Sequence, residues 1–278
     1  MSKGYLLIAH NNGANDYIKQ AVFCAERIKK FCNNASVSLI TDSKKYLHEN
    51  FDTTIFDHII DSKQQKFDNN YRLMFDGALS SKSVQWNNAG RDTAFSLSPY
   101  EETILLDTDY IFSNNILDKC FGSVNDVMMY KKSKYLGSHL VEEFERCSDY
   151  SMEFYWATVI YFKKNNKAKV LFDLVSHIRE NWSYYNSLYQ ISSRNFRNDF
   201  AFSIAIHMLN GMNRGSFVSE LPCKMFYIKD QDYLEKIQED EMIFLLGKKD
   251  HLGEYTLTST QGLNVHVLNK KSLERHIG

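Results

Sequence analysis

The amino-acid sequence predicts an α/β fold on a mostly parallel sheet, and three observations predict it. An apolar run at 5–9, a helical stripe and a second apolar run at 36–40 follow one another as strand, crossover helix and strand. A later apolar run, Ile104-Leu105-Leu106, leads straight into two carboxylates, Asp107 and Asp109. Strand-like and helical stretches then alternate toward the end of the chain. In such sheets ligands gather beyond the carboxyl ends of the strands, so strand ends are where function is sought.

Taken in order, residues 5–9 form the first strand, and the loop His10-Asn11-Asn12-Gly13-Ala14-Asn15 lies at its carboxyl end. Asn15 or Asp16 can cap the next helix, whose Ile18, Ala21, Ala25, Ile28 and Cys32 share one stripe at the 3.6-residue period. The second strand covers 36–40. The stretch 71–97 is rich in helix formers and carries Lys82, Trp86 and Arg91 before the Ser98-Pro99-Tyr100 break. The segment 102–110 is a strand ending in the paired carboxylates. Further strands are expected at 126–130 and 157–162, helices at 168–181 and 199–209, and strands at 241–246, 255–258 and 264–270.

A chain of 278 residues can bury a sizeable core. We expect one domain over 1–278. The 44% hydrophobic content excludes global disorder. Thirty-three Lys plus Arg balance 34 Asp plus Glu, which argues against a sequence-independent grip on nucleic-acid phosphates. The apolar runs are strand-length, far short of the roughly 20 residues of a membrane span. The N-terminal residues lack the apolar region of a secretory signal, so a cytoplasmic protein is expected. Five cysteines without a C-x-x-C pair read as reduced and structural.

In an extended segment residues i and i+2 point the same way, so Asp107 and Asp109 are expected on one side and Thr108 on the other. Such a pair suits a hard divalent cation, which neutralises charge as phosphates depart. An Asp-x-Asp alone is a weak signal, since solvated turns carry it often. The buried-looking Ile104-Leu105-Leu106 before it and Tyr110-Ile111-Phe112 after it set the pair at the rim of the core.

With these pieces in place the chain resembles the GT-A glycosyltransferases: a βαβ start over 5–42, Leu105-Leu106-Asp107-Thr108-Asp109, and the late Val265-His266-Val267-Leu268-Asn269-Lys270. The resemblance implies a GT-A fold, with a nucleotide-sugar-binding half at 1–112 and an acceptor-binding half with a C-terminal metal- and diphosphate-binding tail at 113–278. It also implies a nucleotide-sugar donor, expected to be a UDP-sugar such as UDP-glucose or UDP-arabinose. It implies Mn²⁺, or Mg²⁺, on Asp107, Asp109 and His266, with Lys270 on the diphosphate. It further implies donor contacts from Ala9, Asn11, Asp42, Lys82, Arg91 and Asp107, and gives Asp199 as a catalytic base or a sugar contact. A bland account stands beside each: Asp199 caps a helix, His266 is a core histidine, Lys82 and Arg91 lie on an exposed helix face, and Trp156 is a core tryptophan.

A finer resemblance, carried by residues 85–92 and by Gly262-Leu263-Asn264-Val265-His266, is to glycosyltransferases of tailed bacteriophages. It implies double-stranded DNA with a hydroxylated cytosine as acceptor. Phosphate contacts would then come from Lys131, Lys132 and Lys134, from Lys163, Lys164 and Lys167, or from Arg194 and Arg197. A glycan or lipopolysaccharide acceptor is the alternative. Two other classes stand against these: a non-catalytic nucleotide- or DNA-binding module, and a nucleotidyltransferase, for which His10-Asn11-Asn12-Gly13 is a poor phosphate loop.

Overall fold

Strands β1 (Lys3–Ile8) and β2 (Val37–Thr41) flank helix α1 (Tyr17–Phe31), and α2 (Lys44–Asn50) leads to β3 (His58–Asp61). A hairpin of β4 (Tyr71–Phe75) and β5 (Ser81–Gln85) precedes the short α3 (Ala94–Leu97), β6 (Glu102–Leu106) and β7 (Tyr110–Ile111). Then come β8 (Val127–Tyr130), β9 (Ser133–Tyr135), β10 (Trp156–Lys163), α4 (Asn166–Glu180), α5 (Trp182–Leu188) and α6 (Asn198–Leu209). The last stretch holds β11 (Ser219–Glu220), β12 (Met225–Ile228), β13 (Tyr233–Gln238), β14 (Glu241–Lys248), β15 (His251–Gln261), β16 (Val265–Val267) and α7 (Lys270–His276). These come from a computed structural model, which describes residues 2–11, 13, 15–62, 71–85, 90–138, 146–147, 152–191, 193, 195–249 and 251–277.

The expected class is what the chain adopts. A seven-stranded sheet runs β11-β8-β10-β6-β1-β2-β3, and all its pairings are parallel except the two made by β10. β2 and β6 are buried along their whole length and β1 over most of its own, which is why these segments read as unbroken apolar runs. A second sheet, β7-β16-β12-β9, lies beyond the carboxyl end of β6, and β13-β14-β15 forms a third. The large core surrounds the first sheet; a smaller one, with Ile228, Phe244, Val265 and Leu273, lies under the third.

Helix α1 buries Ile18, Ala21, Ala25 and Ile28, as the stripe predicted, and Asp16 caps it by accepting the Lys19 N–H at 3.0 Å. The reading of 71–97 as helical holds only at its end, where α3 covers Ala94–Leu97. Among its described residues 71–75 and 81–85 pair as antiparallel strands, joined by a turn in which Gly77 has φ +77°, a conformation glycine adopts at little cost. At 264–270 the strand stops at Val267, because Asn269 accepts the Ser272 N–H and starts α7. All five cysteines are free. Among the described residues no helix is long and apolar enough to cross a membrane.

Arg179 on α4 donates to Asp92 at 2.5 Å, and both side chains are buried, at 6% and 4% exposure. The pair pins the chain beside Arg91. Removing one partner of a buried pair strands the other's charge, so Asp92→Ala is expected to cost about 3–5 kcal/mol. Denaturant unfolding should show a lowered midpoint at unchanged slope. A midpoint like that of the parent protein would show that Arg179 is compensated by something other than Asp92.

Candidate functional site

Asp107, Thr108 and Asp109 form the turn between β6 and β7. The Tyr110 N–H returns to the Asp107 carbonyl at 3.2 Å, and the Asp107 N–H reaches the Thr158 carbonyl at 2.9 Å. The two carboxylates therefore converge through a turn, which corrects the expectation of strand alternation. Thr108 does face away, toward Gln20 on α1 at 3.4 Å. β16 lies antiparallel to β7, and the Val267 N–H donates to the Asp109 carbonyl at 3.0 Å, which brings His266 over the turn.

His266 Nε2 is 3.2 Å from Asp109 Oδ2 and 3.8 Å from Asp107 Oδ2. Ligand donor atoms of the three residues all lie within 4.8 Å of one another. An octahedral ion with bonds of about 2.1 Å sets its ligands about 3–4 Å apart, so this set accepts a small divalent cation once the three groups close in and the Lys270 ammonium moves off Asp109 Oδ2. Asp109 Oδ2 is buried and has no hydrogen-bond partner among the described residues; it faces the imidazole and the Lys270 ammonium instead. His266 Nδ1 is 3.2 Å from Thr158 Oγ1. A proton on Nδ1 donates to that hydroxyl and leaves the Nε2 lone pair for a cation. These residues thus fit a divalent metal.

Burial alone would raise the Asp107 carboxyl, but Arg91 in contact with it, then His266 and Lys270, hold it below the ordinary carboxylate range. Burial lowers His266 against the pull of Asp107 and Asp199. It also lowers the Lys270 ammonium; Asp107 opposes this, and the like charges of Arg72 and Arg91 add to it.

The turn opens on a cavity of about 410 Å³, within the range of small-molecule sites. Arg91, Asp107, Asp109, Asp199, His266 and Lys270 all line it, and so does Trp156. Four residues singled out in the sequence do not. Ala9 is buried in the sheet, bonded to the Ile40 carbonyl. Asn11 accepts from Gly13 and donates to Ser43, and Asp42 accepts from the Ser43 hydroxyl. Lys82 is exposed on β5, and the expected exposed helix there is a hairpin instead.

Asp199 is one residue inside α6, after Arg197 at the N-cap, so it is not the cap. Its Oδ1 accepts the Ala157 N–H at 2.8 Å and its Oδ2 the Arg197 guanidinium at 2.7 Å. Unanticipated cavity residues include His10, Tyr17, Arg72, Lys229 and Asp230. Burial raises the Asp230 carboxyl, with Arg72 opposing. No motif marked any of them; the alternation of exposed Tyr71 and Leu73 with inward Arg72 was the one available sign of a strand.

No protein-family model matches this sequence, and no curated protein matches it. Among solved structures, the glycosyltransferase GlyE of Streptococcus pneumoniae TIGR4 aligns at TM-score 0.42 and 13% identity, over 80% of this chain and 45% of that one. The galactosyltransferase LgtC, in complex with donor and acceptor sugar analogues, aligns at TM-score 0.47 and 12% identity, over 78% and 72%. A candidate glucose-1-phosphate thymidylyltransferase of Bacillus anthracis, in complex with sucrose, aligns at TM-score 0.46 and 7% identity, over 99% and 93%. This chain spans less than half the length of the GlyE chain. These are distant likenesses of backbone arrangement.

Lowered values for Asp107 and His266 disfavour their protonated forms in the folded protein. At these two residues protons therefore compete with a cation only below the ordinary values of 3.8 and 6.5. Lys270, lowered to about 7 and in contact with Asp109, gains its charge at higher pH than they do, so affinity for a divalent cation is expected to fall gently from roughly pH 8 to roughly pH 6.5 and more steeply below that. Calorimetric titrations across this range check it. A tenfold loss already between roughly pH 8 and 7 would need a protonation near pH 8 or above, against the lowered values of both His266 and Lys270.

Proposed function

We propose that this chain is a metal-dependent glycosyltransferase of the GT-A type, moving a sugar from a nucleoside-diphosphate sugar to an acceptor hydroxyl. The observation that carries the proposal is the convergence of Asp107, Asp109 and His266, with Lys270 and Arg91 beside them, at the carboxyl end of β6 and on the wall of one cavity. Asp107, Asp109 and His266 would hold the cation, taken as Mn²⁺ because imidazole joins the carboxylates. When bound, it supplies Lewis-acid neutralisation of the diphosphate.

In the transfer the bond from the anomeric carbon to the diphosphate oxygen breaks, a bond to the acceptor oxygen forms, and the acceptor proton passes to the departing diphosphate. Lys270 stands where its ammonium can pass from Asp109 to a phosphate oxygen. Arg91 is held by the Ala157 carbonyl at 2.6 Å and by Asp107, so its position does not depend on the donor. Asp199 suits a sugar-hydroxyl contact better than a base, since a base there would first have to release Arg197 and the Ala157 N–H. The loop after β1 provides no glycine-rich phosphate cradle of the kind a nucleotidyltransferase would want.

The acceptor we favour is a glycan hydroxyl. A duplex with hydroxylated cytosine needs cations for its phosphates. Here Lys131 pairs with Glu153 at 2.7 Å, Lys132 lies 4.0 Å from Glu220, Lys163 donates to the Ser123 carbonyl and Arg197 holds Asp199. Arg194 and the phage-like residues 86–89 lie outside the described residues.

A screen of nucleotide sugars with Mn²⁺, against glycan acceptors and hydroxymethylated DNA, tests this reading. Asp109→Ala is expected to lower transfer about 10²–10³-fold, and a chelator should stop it reversibly. Turnover that ignores both changes, or nucleotide binding with no sugar released under any condition, would sink the proposal.

A further inference from the structure

The hairpin β4–β5 is a two-stranded ribbon outside the main sheets, and such ribbons are marginal unless something holds them. This one is held at several points. Arg275 on α7 grips Asp76 through two hydrogen bonds of 2.7 and 2.8 Å, and the Tyr233 hydroxyl donates to the Asp76 carbonyl at 3.1 Å. The Ala78 N–H reaches the Tyr255 hydroxyl at 2.9 Å. From the other side Asn195, just before α6, donates to the Tyr71 carbonyl at 2.7 Å. The ribbon is thus anchored both to the helix that begins with Lys270 and to the approach to Asp199.

Strand alternation does the rest. Tyr71 and Leu73 face solvent at 57% and 51% exposure, while Arg72 turns inward and lines the cavity of Asp107, Asp109, His266 and Lys270. It shares that cavity with Arg91, Arg197 and Lys270, so several cationic side chains line the space beside the metal-fitting cluster. Asp230 and Asp199 offset part of the Arg72 charge, and guanidinium geometry matches phosphate oxygens.

We propose that Arg72, carried in by the β4–β5 hairpin, binds the diphosphate of the donor opposite Lys270, an assignment that rests on the donor-site reading above. Arg72 then acts on the departing group rather than on the acceptor. It is a binding residue supplied by an element remote in sequence from the Asp-x-Asp turn.

Inorganic pyrophosphate with Mn²⁺ serves as the probe, because it carries the shared chemistry of every nucleoside diphosphate without base or sugar. Titrated calorimetrically into the full chain, it should bind Arg72→Gln about tenfold or more weakly than the parent protein. Arg72→Lys should recover part of that loss, and Mn²⁺ alone should bind all of them equally. Arg275→Gln, which frees the hairpin at an exposed position, should also weaken pyrophosphate and leave Mn²⁺ binding unchanged. Equal pyrophosphate affinity in the parent and Arg72→Gln overturns the proposal while leaving the donor site standing. So does an Arg72→Gln loss that extends to Mn²⁺ alone, since Arg72 would then be holding up the centre itself. If the parent protein takes up no manganese pyrophosphate, the donor-site reading fails and this assignment with it.

Discussion

The contact of Asp109 with His266 and Lys270 is the constraint on which the rest of the centre depends. A carboxylate at 3% side-chain exposure is costly unless partners face it. Both partners arrive on one short piece of chain, β16 and the first residue of α7. That piece is held by the pairing of β16 with β7 on one side and β12 on the other, so the ring and the ammonium are located by backbone hydrogen bonds. Thr158 orients the ring from a third direction.

The polarity of the central sheet decides what else meets there. β6 runs parallel to β1 but antiparallel to β10, so the carboxyl end of one lies beside the beginning of the other. Trp156, Ala157 and Thr158 thereby line the same cavity as Asp107. Asp199 then ties α6 to this strand start through the Ala157 N–H, and Ser203 links the Asp199 carbonyl to the Tyr155 N–H. The wall beside the metal-fitting cluster is thus a continuous set of hydrogen bonds, which holds Ala157 and Thr158 against Arg91 and His266.

Much of this was legible in the residues, for reasons of locality. The βαβ start and Ile104-Leu105-Leu106 are buried on both faces, and such segments announce themselves as apolar runs; α1 carries its stripe and its cap within a few turns. Asp107 and Asp109 could be found because they interrupt one of these runs. His266, Lys270 and Arg91 came from family likeness, and they line the cavity. What stayed hidden depends on pairings between distant segments. The hairpin at 71–85 carries an Asp76-Gly77 turn signal, but its strands alternate weakly and are rich in helix formers, so Arg72 passed unnoticed while Lys82, on the partner strand, was singled out and lies off the cavity. Asp230 sits after a strand that only its neighbours β16 and β9 define. Ala9, Asn11 and Asp42 lie at the right end of the sheet yet spend their polar atoms on one another's loops.

The strand that carries His266 is far along the chain from its partners, with a separation of 108 positions between Thr158 and the ring it orients. Loops of that size must close before their contacts return anything, so high contact order slows assembly. Any ensemble in which the last strand has not yet docked beside β7 lacks the assembled set of Asp107, Asp109 and His266, whatever helices it has already formed. That set is accordingly complete only when the topology is, since local structure alone cannot assemble it.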